Sequence, residues 1–226
     1  MYGGILLKKE SLTIKKNGSH EIEIKKSRFI CTMVRIQSED QAKQLIEQVT
    51  KENSKANHNC YAYMLGDDDH IQRESDNGEP SGTAGVPILE VLKKNELHNV
   101  LAVVTRYFGG IKLGAGGLIR AYSNATSTTI DQLGIVKLVN KQQLTLTIDY
   151  NQFDKLKYFL ENEAIPIEDT QYTDQIQVVI AVSDDHFNAL ISAITNLLSD
   201  QFTYDKGPYK IFEVPYSREA RQQDER

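Results

Sequence analysis

The chain is poor in cysteine: Cys31 and Cys60 are the only two among 226 residues. Two thiols cannot build a disulfide framework, and their wide separation excludes a Cys-x-x-Cys redox pair and a four-ligand zinc site. Reduced thiols and a cytoplasmic location are the expectation. Long apolar runs are also missing. Ile5-Leu6-Leu7 near the start is too short for the core of a signal peptide, and no later run approaches the ~18 apolar residues of a membrane span, so neither export nor insertion is expected. Nor is there an excess of positive charge. With 26 Lys/Arg against 31 Asp/Glu the formal charge is −5, which excludes a wholesale polybasic nucleic-acid binder but leaves room for a local basic face.

That charge is unevenly spread. Residues 1–135 carry 17 Lys/Arg and 16 Asp/Glu, net +1, whereas residues 136–226 carry 9 and 15, net −6, so a polyanion contact belongs to the first part. At 40% hydrophobic residues the chain can bury a sizeable core and form one or two domains.

Alternation over His20 to Ile24 and Arg28 to Ile36 predicts two antiparallel strands, each buried on one side through Ile22, Ile24, Ile30, Val34 and Ile36. Ser38 then caps a helix that ends near Asn53, with Gln41 in capping-box position. His58 to Leu65 reads as a strand, Gly66 to Asp69 as a turn, and Ile71 to Glu74 as a second strand. The run 76–85 is an ordered loop leading into a helix at Val86 to Lys94, with Thr83 as its cap. Val100 to Val104 is apolar on both faces, which a central strand covered on both sides requires. A helix over Leu118 to Leu133 follows, closed by Gly134. From Lys141 the order becomes β-α-β-β-α-β: strand Gln143 to Tyr150, helix Gln152 to Asn162, strands Ile165 to Tyr172 and Ile176 to Val182, helix Asp184 to Leu198, strand Phe202 to Val214. Asn151 and Ser183 are the expected caps. That order is the ferredoxin-like split β-α-β. The expected layout is therefore α+β in two domains, 1–135 and 141–216, with a charged, fraying tail at 217–226.

Five glycines lie between the buried strand and the helix at Leu118, with three cations around them: Arg106, Gly109, Gly110, Lys112, Gly114, Gly116, Gly117 and Arg120. Glycine permits positive φ and close backbone approach, a helix start offers free N–H groups, and Lys112 and Arg120 can neutralise a phosphate. Walker A spacing fails because Ala115 stands where the Lys belongs, and the dinucleotide fingerprint fails at Ile119. An anion cradle and a tight strand-to-helix connection both account for the glycines. A second cluster holds Asp67, Asp68, Asp69, His70, Asp76 and Glu79, with His58 on the preceding strand. Its spacing fits neither an EF-hand nor a zinc deaminase, and no metal or cofactor is expected. A solvated turn accounts for Asp67 to Asp69, and turn amides satisfying a carboxylate account for Asp76 and Glu79. Ser81 and Thr83 lack a base, Cys31 and Cys60 read as small buried hydrophobes, and Tyr61, Tyr63, Tyr107 and Phe108 offer rings for base stacking or for the core.

Three motifs in order, His58-Asn59-Cys60-Tyr61-Ala62-Tyr63, then Asp76 to Gly85, then Arg106 to Gly114, resemble the IMPACT family in its bacterial, YigZ-type branch. The resemblance implies an N-terminal α/β sandwich of the ribosomal-protein-domain-2-like kind, shared with elongation factor G and the GHMP kinases, and a C-terminal domain similar to the ferredoxin-like domains of that factor. Eukaryotic members regulate translation by competing for the activator of a stress kinase and carry a further N-terminal domain for which this chain has no room. Asn77 stands where many relatives carry an acidic residue, which speaks against a two-carboxylate metal site. The reading that follows is a non-enzymatic, translation-associated protein binding RNA or the ribosome through the basic Gly-rich loop, with a translation-related protein as a further partner. The alternative is an enzyme or nucleotide-binding protein with a site between the two Gly-rich loops, using Asp76, Glu79 and His58. A third is an adaptor built on the C-terminal sheet.

Overall fold

A computed structural model describes residues 10–66 and 68–216; Ile5-Leu6-Leu7, Asp67 and the tail at 217–226 lie outside the described residues. The chain divides into two units, residues 10–138 with 213–216, and residues 139–212.

In the first unit the strands β2 (Gly18–Ile24), β3 (Ser27–Arg35), β4 (His58–Leu65), β5 (Ile71–Ser75) and β6 (Val100–Tyr107) form one antiparallel sheet in the order β2-β3-β6-β4-β5. Helices α2 (Gly85–Lys94) and α3 (Ala115–Leu133) cover one face, and α1 (Glu39–Glu52) packs on the other. The central β6 is buried along almost its whole length, as its apolar residues on both faces require.

In β3 the alternation resolves differently from the expectation. Phe29, Cys31 and Met33 are fully buried against the helices, while Ile30 and Val34 are half-buried on the opposite face. Both sets are apolar, and the two-helix side is the more completely covered. Phe29 meets Tyr122 of α3 edge to face at 5.3 Å.

Ser38 caps α1 by accepting from Gln41 N, as expected, and Gln41 reaches back to Gln37 N. Thr83 does not cap α2: its hydroxyl donates to Pro80 O, and a carboxylate from further away takes the helix start. The helix expected from Leu118 begins three residues earlier, at Ala115, and Gly134 closes it at φ +76°, its N–H bonded to Ile130 O.

A strand the periodicity did not indicate, β1 (Ser11–Ile14), pairs antiparallel with the first residues of β7 (Ile135–Ile148), from Ser11↔Leu138 to Ile14↔Ile135. The expected boundary at 135–141 therefore falls inside a continuous strand.

Later residues of β7 belong to the second unit. There α4 (Phe153–Asn162), β8 (Ile167–Tyr172), β9 (Ile176–Val182), α5 (Asp184–Leu198) and β10 (Thr203–Pro215) complete a β-α-β-β-α-β unit, with β10, β7, β9 and β8 in spatial order. That is the ferredoxin-like order. Leu144, Leu146, Val178 and Ile180 pack against Leu156, Leu160, Leu190 and Ile194 of the two helices. Asn151 is not the cap of α4. It sits within a 3-10 turn (Tyr150–Gln152) where Asp149 and Gln152 form the capping box. Ser183 stands at the α5 cap position, but its hydroxyl meets the His186 ring.

Candidate functional site

The first Gly-rich loop is built around Asp76. Its Oδ1 accepts from Ala84 N and Gly85 N, both at 2.9 Å, and Oδ2 accepts from Gly82 N at 2.7 Å. This carboxylate replaces the missing side-chain cap of α2 and fixes the loop into the helix start. Burial pushes its pKa up, but the N–H groups of Gly82, Gly85, Ala84 and Thr83 outweigh that, and the carboxyl is held below its ordinary range.

Glu79, in the same loop, turns into the core. Its side chain is only 3% exposed, and Oε1 accepts from Arg106 Nη1 at 2.5 Å and from Tyr122 Oη at 2.9 Å. Arg106, at the end of β6, is 5% exposed, with its guanidinium between the rings of Phe29 and Phe108 at 5.3 and 5.5 Å. Cys60 Sγ extends the network to Tyr122 Oη at 3.3 Å and Asp76 O at 2.9 Å. Burial pushes the Cys60 thiol up to about 12, and burial together with Cys60 and Glu79 raises the Tyr122 hydroxyl too. Tyr122 lies in the helix the sequence marks over Leu118 to Leu133, where nothing local singles it out, although a buried tyrosine hydroxyl calls for a partner. His58 stands at the edge, Nδ1 on Asn77 O at 2.9 Å and Nε2 at 3.9 Å from Glu79 Oε2.

The second Gly-rich loop leaves β6 past this network. Gly109 packs against the backbone of Lys26 and Ser27, where any Cβ would overlap the Lys26 carbonyl, and its N–H donates to Ser27 Oγ. Gly110 and Gly114 hold φ of +86° and +69° in open space, and a Cβ at Gly116 would meet only the far end of Arg120 at 3.7 Å. Helix α3 starts at Ala115 after Gly114, which offers no side-chain cap, and Gly114, Ala115 and Gly116 are exposed. Lys112 and Arg120 are exposed beside it, and neither forms an ion pair with a described residue. Phe108, earlier in the same loop, is 44% exposed.

The eight loop residues therefore differ in exposure. Arg106 faces inward to Glu79 and Gly109 and Gly117 are half-buried, whereas Lys112, Arg120, Gly110, Gly114 and Gly116 are exposed. No hydrogen bond or ion pair joins Asp76 or Glu79 to Lys112 among the described residues. Of the stacking candidates, Tyr63 is buried and donates to Glu39, Tyr61 stacks on it, and Tyr107 donates to Asn53. In the acidic turn Asp68 meets His70 and Asp69 meets His98, away from this network. His98 is thus the histidine that holds the turn to the start of β6.

These features define a two-domain α+β protein, and the chain belongs to the IMPACT family. Residues 25–130 match the Impact N-terminal domain and residues 146–201 match the domain of unknown function DUF1949. The chain is 42% identical to the IMPACT family member YvyE of Bacillus subtilis, over 92% of this chain and 94% of that protein. It is 39% identical to the IMPACT family member YigZ of Escherichia coli over 61% of this chain and 69% of that one. A crystal structure of a hypothetical protein superposes with a TM-score of 0.56 at 29% identity, covering 86% of this chain and 96% of that one. No helix among the described residues is long and apolar enough to cross a membrane.

Proposed function

We propose that this chain is a non-enzymatic, translation-associated protein of the cytoplasm that binds RNA, free or on the ribosome, through the second Gly-rich loop and the start of α3. The observation that carries the reading is the uncapped, exposed helix start with Lys112 and Arg120 free beside it, in a loop that also carries the half-exposed Phe108 ring. Free N–H groups and cations suit phosphate oxygens, and an exposed ring suits a base. The translation setting is what the family resemblance supplies. Arg106 supports the loop from inside instead of touching phosphate.

The test is binding of the purified chain to ribosomes and to total RNA across a salt series, beside Lys112→Glu and Arg120→Glu. The expected result is salt-dependent binding, weaker in both variants, with each shallowing the salt slope by about one charge. Unchanged binding in Lys112→Glu sinks the reading.

A second reading is supported by the Glu79–Arg106 contact, which ties the two Gly-rich loops together and suits a nucleotide or phosphate between them. Against it, Asp76 has both carboxylate oxygens committed to backbone N–H groups. Thermal unfolding with nucleotides, with and without magnesium, separates the two, since a ligand at 100 times its Kd adds about 2.7 kcal/mol.

A further inference from the structure

Helix α3 carries few charges for its length. Over 19 residues it holds only Arg120 and Asp131, and where a surface helix ordinarily sets out long Lys and Glu side chains it has Ser123, Asn124 and Ser127. These are weaker helix formers, so they do not serve the helix itself. Their short side chains instead leave a groove of about 590 Å³ open between α3 and α2, lined on α3 by Arg120, Ser123, Asn124, Ser127 and Asp131 and on α2 by Lys94.

The polar groups of this groove are uncommitted. Lys94 and Arg120 form no ion pair with a described residue, and neither the Ser123 hydroxyl nor the Asn124 amide has a hydrogen-bond partner among the described residues. Arg120 belongs to two places at once. Its Nη1 lies 3.7 Å from where a Cβ would stand on Gly116, in the exposed first turn of α3, and the same residue lines the groove. The groove therefore continues from the helix start on which the RNA reading rests. From Arg120 to Asp131 the helix rises about 16 Å, long enough for more than one phosphate of a strand. Serine and asparagine side chains beside Arg and Lys are the set that contacts phosphate and sugar oxygens in nucleic-acid complexes.

We propose that the groove between α2 and α3 holds the sugar–phosphate backbone of the RNA beyond the helix start, with Arg120 and Lys94 on phosphates, Ser123 and Asn124 on phosphate or ribose oxygens, and Asp131 ending the track. This rests on the RNA reading above and adds the path that the strand takes.

The experiment is fluorescence anisotropy of the full chain with a labelled uridine dodecamer across a salt series, for wild type, Lys94→Gln, Asn124→Lys, Arg120→Glu and Gln44→Lys. Gln44 is exposed on α1, across the sheet from the groove, so Gln44→Lys matches the net charge of Asn124→Lys without placing it there. Lys94→Gln is expected to bind about fivefold more weakly at low salt, with the salt slope shallower by about 0.7, the share of one phosphate on a single strand. Asn124→Lys is expected to bind more tightly and to steepen the slope by about the same amount, a gain that misfolding cannot produce, while Gln44→Lys binds as the wild type does. If Lys94→Gln or Asn124→Lys binds like wild type while Arg120→Glu binds weakly, the groove is not the path and RNA binding at the loop stands. Equal gains in Asn124→Lys and Gln44→Lys also overturn the proposal, since net charge alone then accounts for them. Displacement of the dodecamer by polyglutamate as readily as by unlabelled dodecamer makes the occupant an acidic peptide and overturns it as well. Absence of dodecamer binding at low salt in wild type removes both this inference and the reading beneath it.

Discussion

Glu79 and Arg106 stand 27 residues apart in the chain and meet inside it at 2.5 Å, each side chain nearly sealed from solvent. Removing one partner of such a pair strands the other charge, at a cost of about 3–5 kcal/mol, whereas replacing both with apolar groups of similar size is far milder. Glu79→Gln is therefore expected to lower the unfolding free energy by several kcal/mol, and Glu79→Met with Arg106→Met by clearly less than Glu79→Met alone. Urea unfolding of the three variants measures this. A loss under about 1 kcal/mol for Glu79→Gln refutes the pair as the tie between the loops.

Asp76 gives a pH-dependent expectation. Its carboxyl is depressed in the folded chain, so it contributes stability above its unfolded pKa, about 3.9, and loses that contribution as the pH falls through the folded value. Asp76→Asn is expected to cost about 1–2 kcal/mol at neutral pH, the range of a lost helix cap. The gap between wild type and variant should close below about pH 4. Unfolding curves at pH 7 and pH 3 check it; a gap unchanged between them contradicts the role.

Parts of this arrangement were legible in the sequence and parts were not, for identifiable reasons. Val100 to Val104 announced a central strand because neither face carries a polar residue, and the C-terminal element order followed from clean apolar stripes such as Leu190, Ile194 and Leu198. Ser11–Ile14 escaped because a four-residue strand has almost no periodicity and its partner lies more than 120 residues on. The buried side of β3 could not be chosen by alternation, since Phe29, Cys31 and Met33 compete with Ile30 and Val34. At the site, both loops were marked by their glycines, and Lys112 and Arg120 lie at the surface as cations usually do. Arg106 read as one more cation of that loop because nothing local distinguishes a charge that finds a buried partner in space. Thr83 read as a cap for the matching reason: Asp76, eight residues before Ala84, reaches the helix only once the loop has folded back.

The two thiols should be inert in the native chain. Burial pushes each pKa to about 12, so at pH 8 only about one thiol in ten thousand is ionised, and both residues are sealed from solvent. A thiol-reactive chromophore should therefore label neither Cys31 nor Cys60 at pH 8 over minutes and both at once in denaturant. Rapid native labelling of one thiol, traced to Cys60 by mass, contradicts the closed Cys60–Tyr122 link.

Two glycines of the same loop should answer oppositely to alanine. Gly109 touches the Lys26 and Ser27 backbone, which cannot yield as a flexible side chain can, so Gly109→Ala must separate two chain segments and break the N–H bond to Ser27 Oγ. A loss above about 3 kcal/mol is expected, as for a severe overpacking change. Gly116 lies in the first turn of α3 with ordinary φ, and its nearest new contact is the far end of Arg120 at 3.7 Å. There alanine removes the backbone freedom of glycine in the unfolded chain, so stability should hold or rise by about 0.5–1 kcal/mol. Thermal unfolding of the two variants side by side decides the matter. Equal losses would mean that the glycines serve one generic need for flexibility, whereas the expected split assigns Gly109 to packing and leaves the surface at Gly116 open for a ligand.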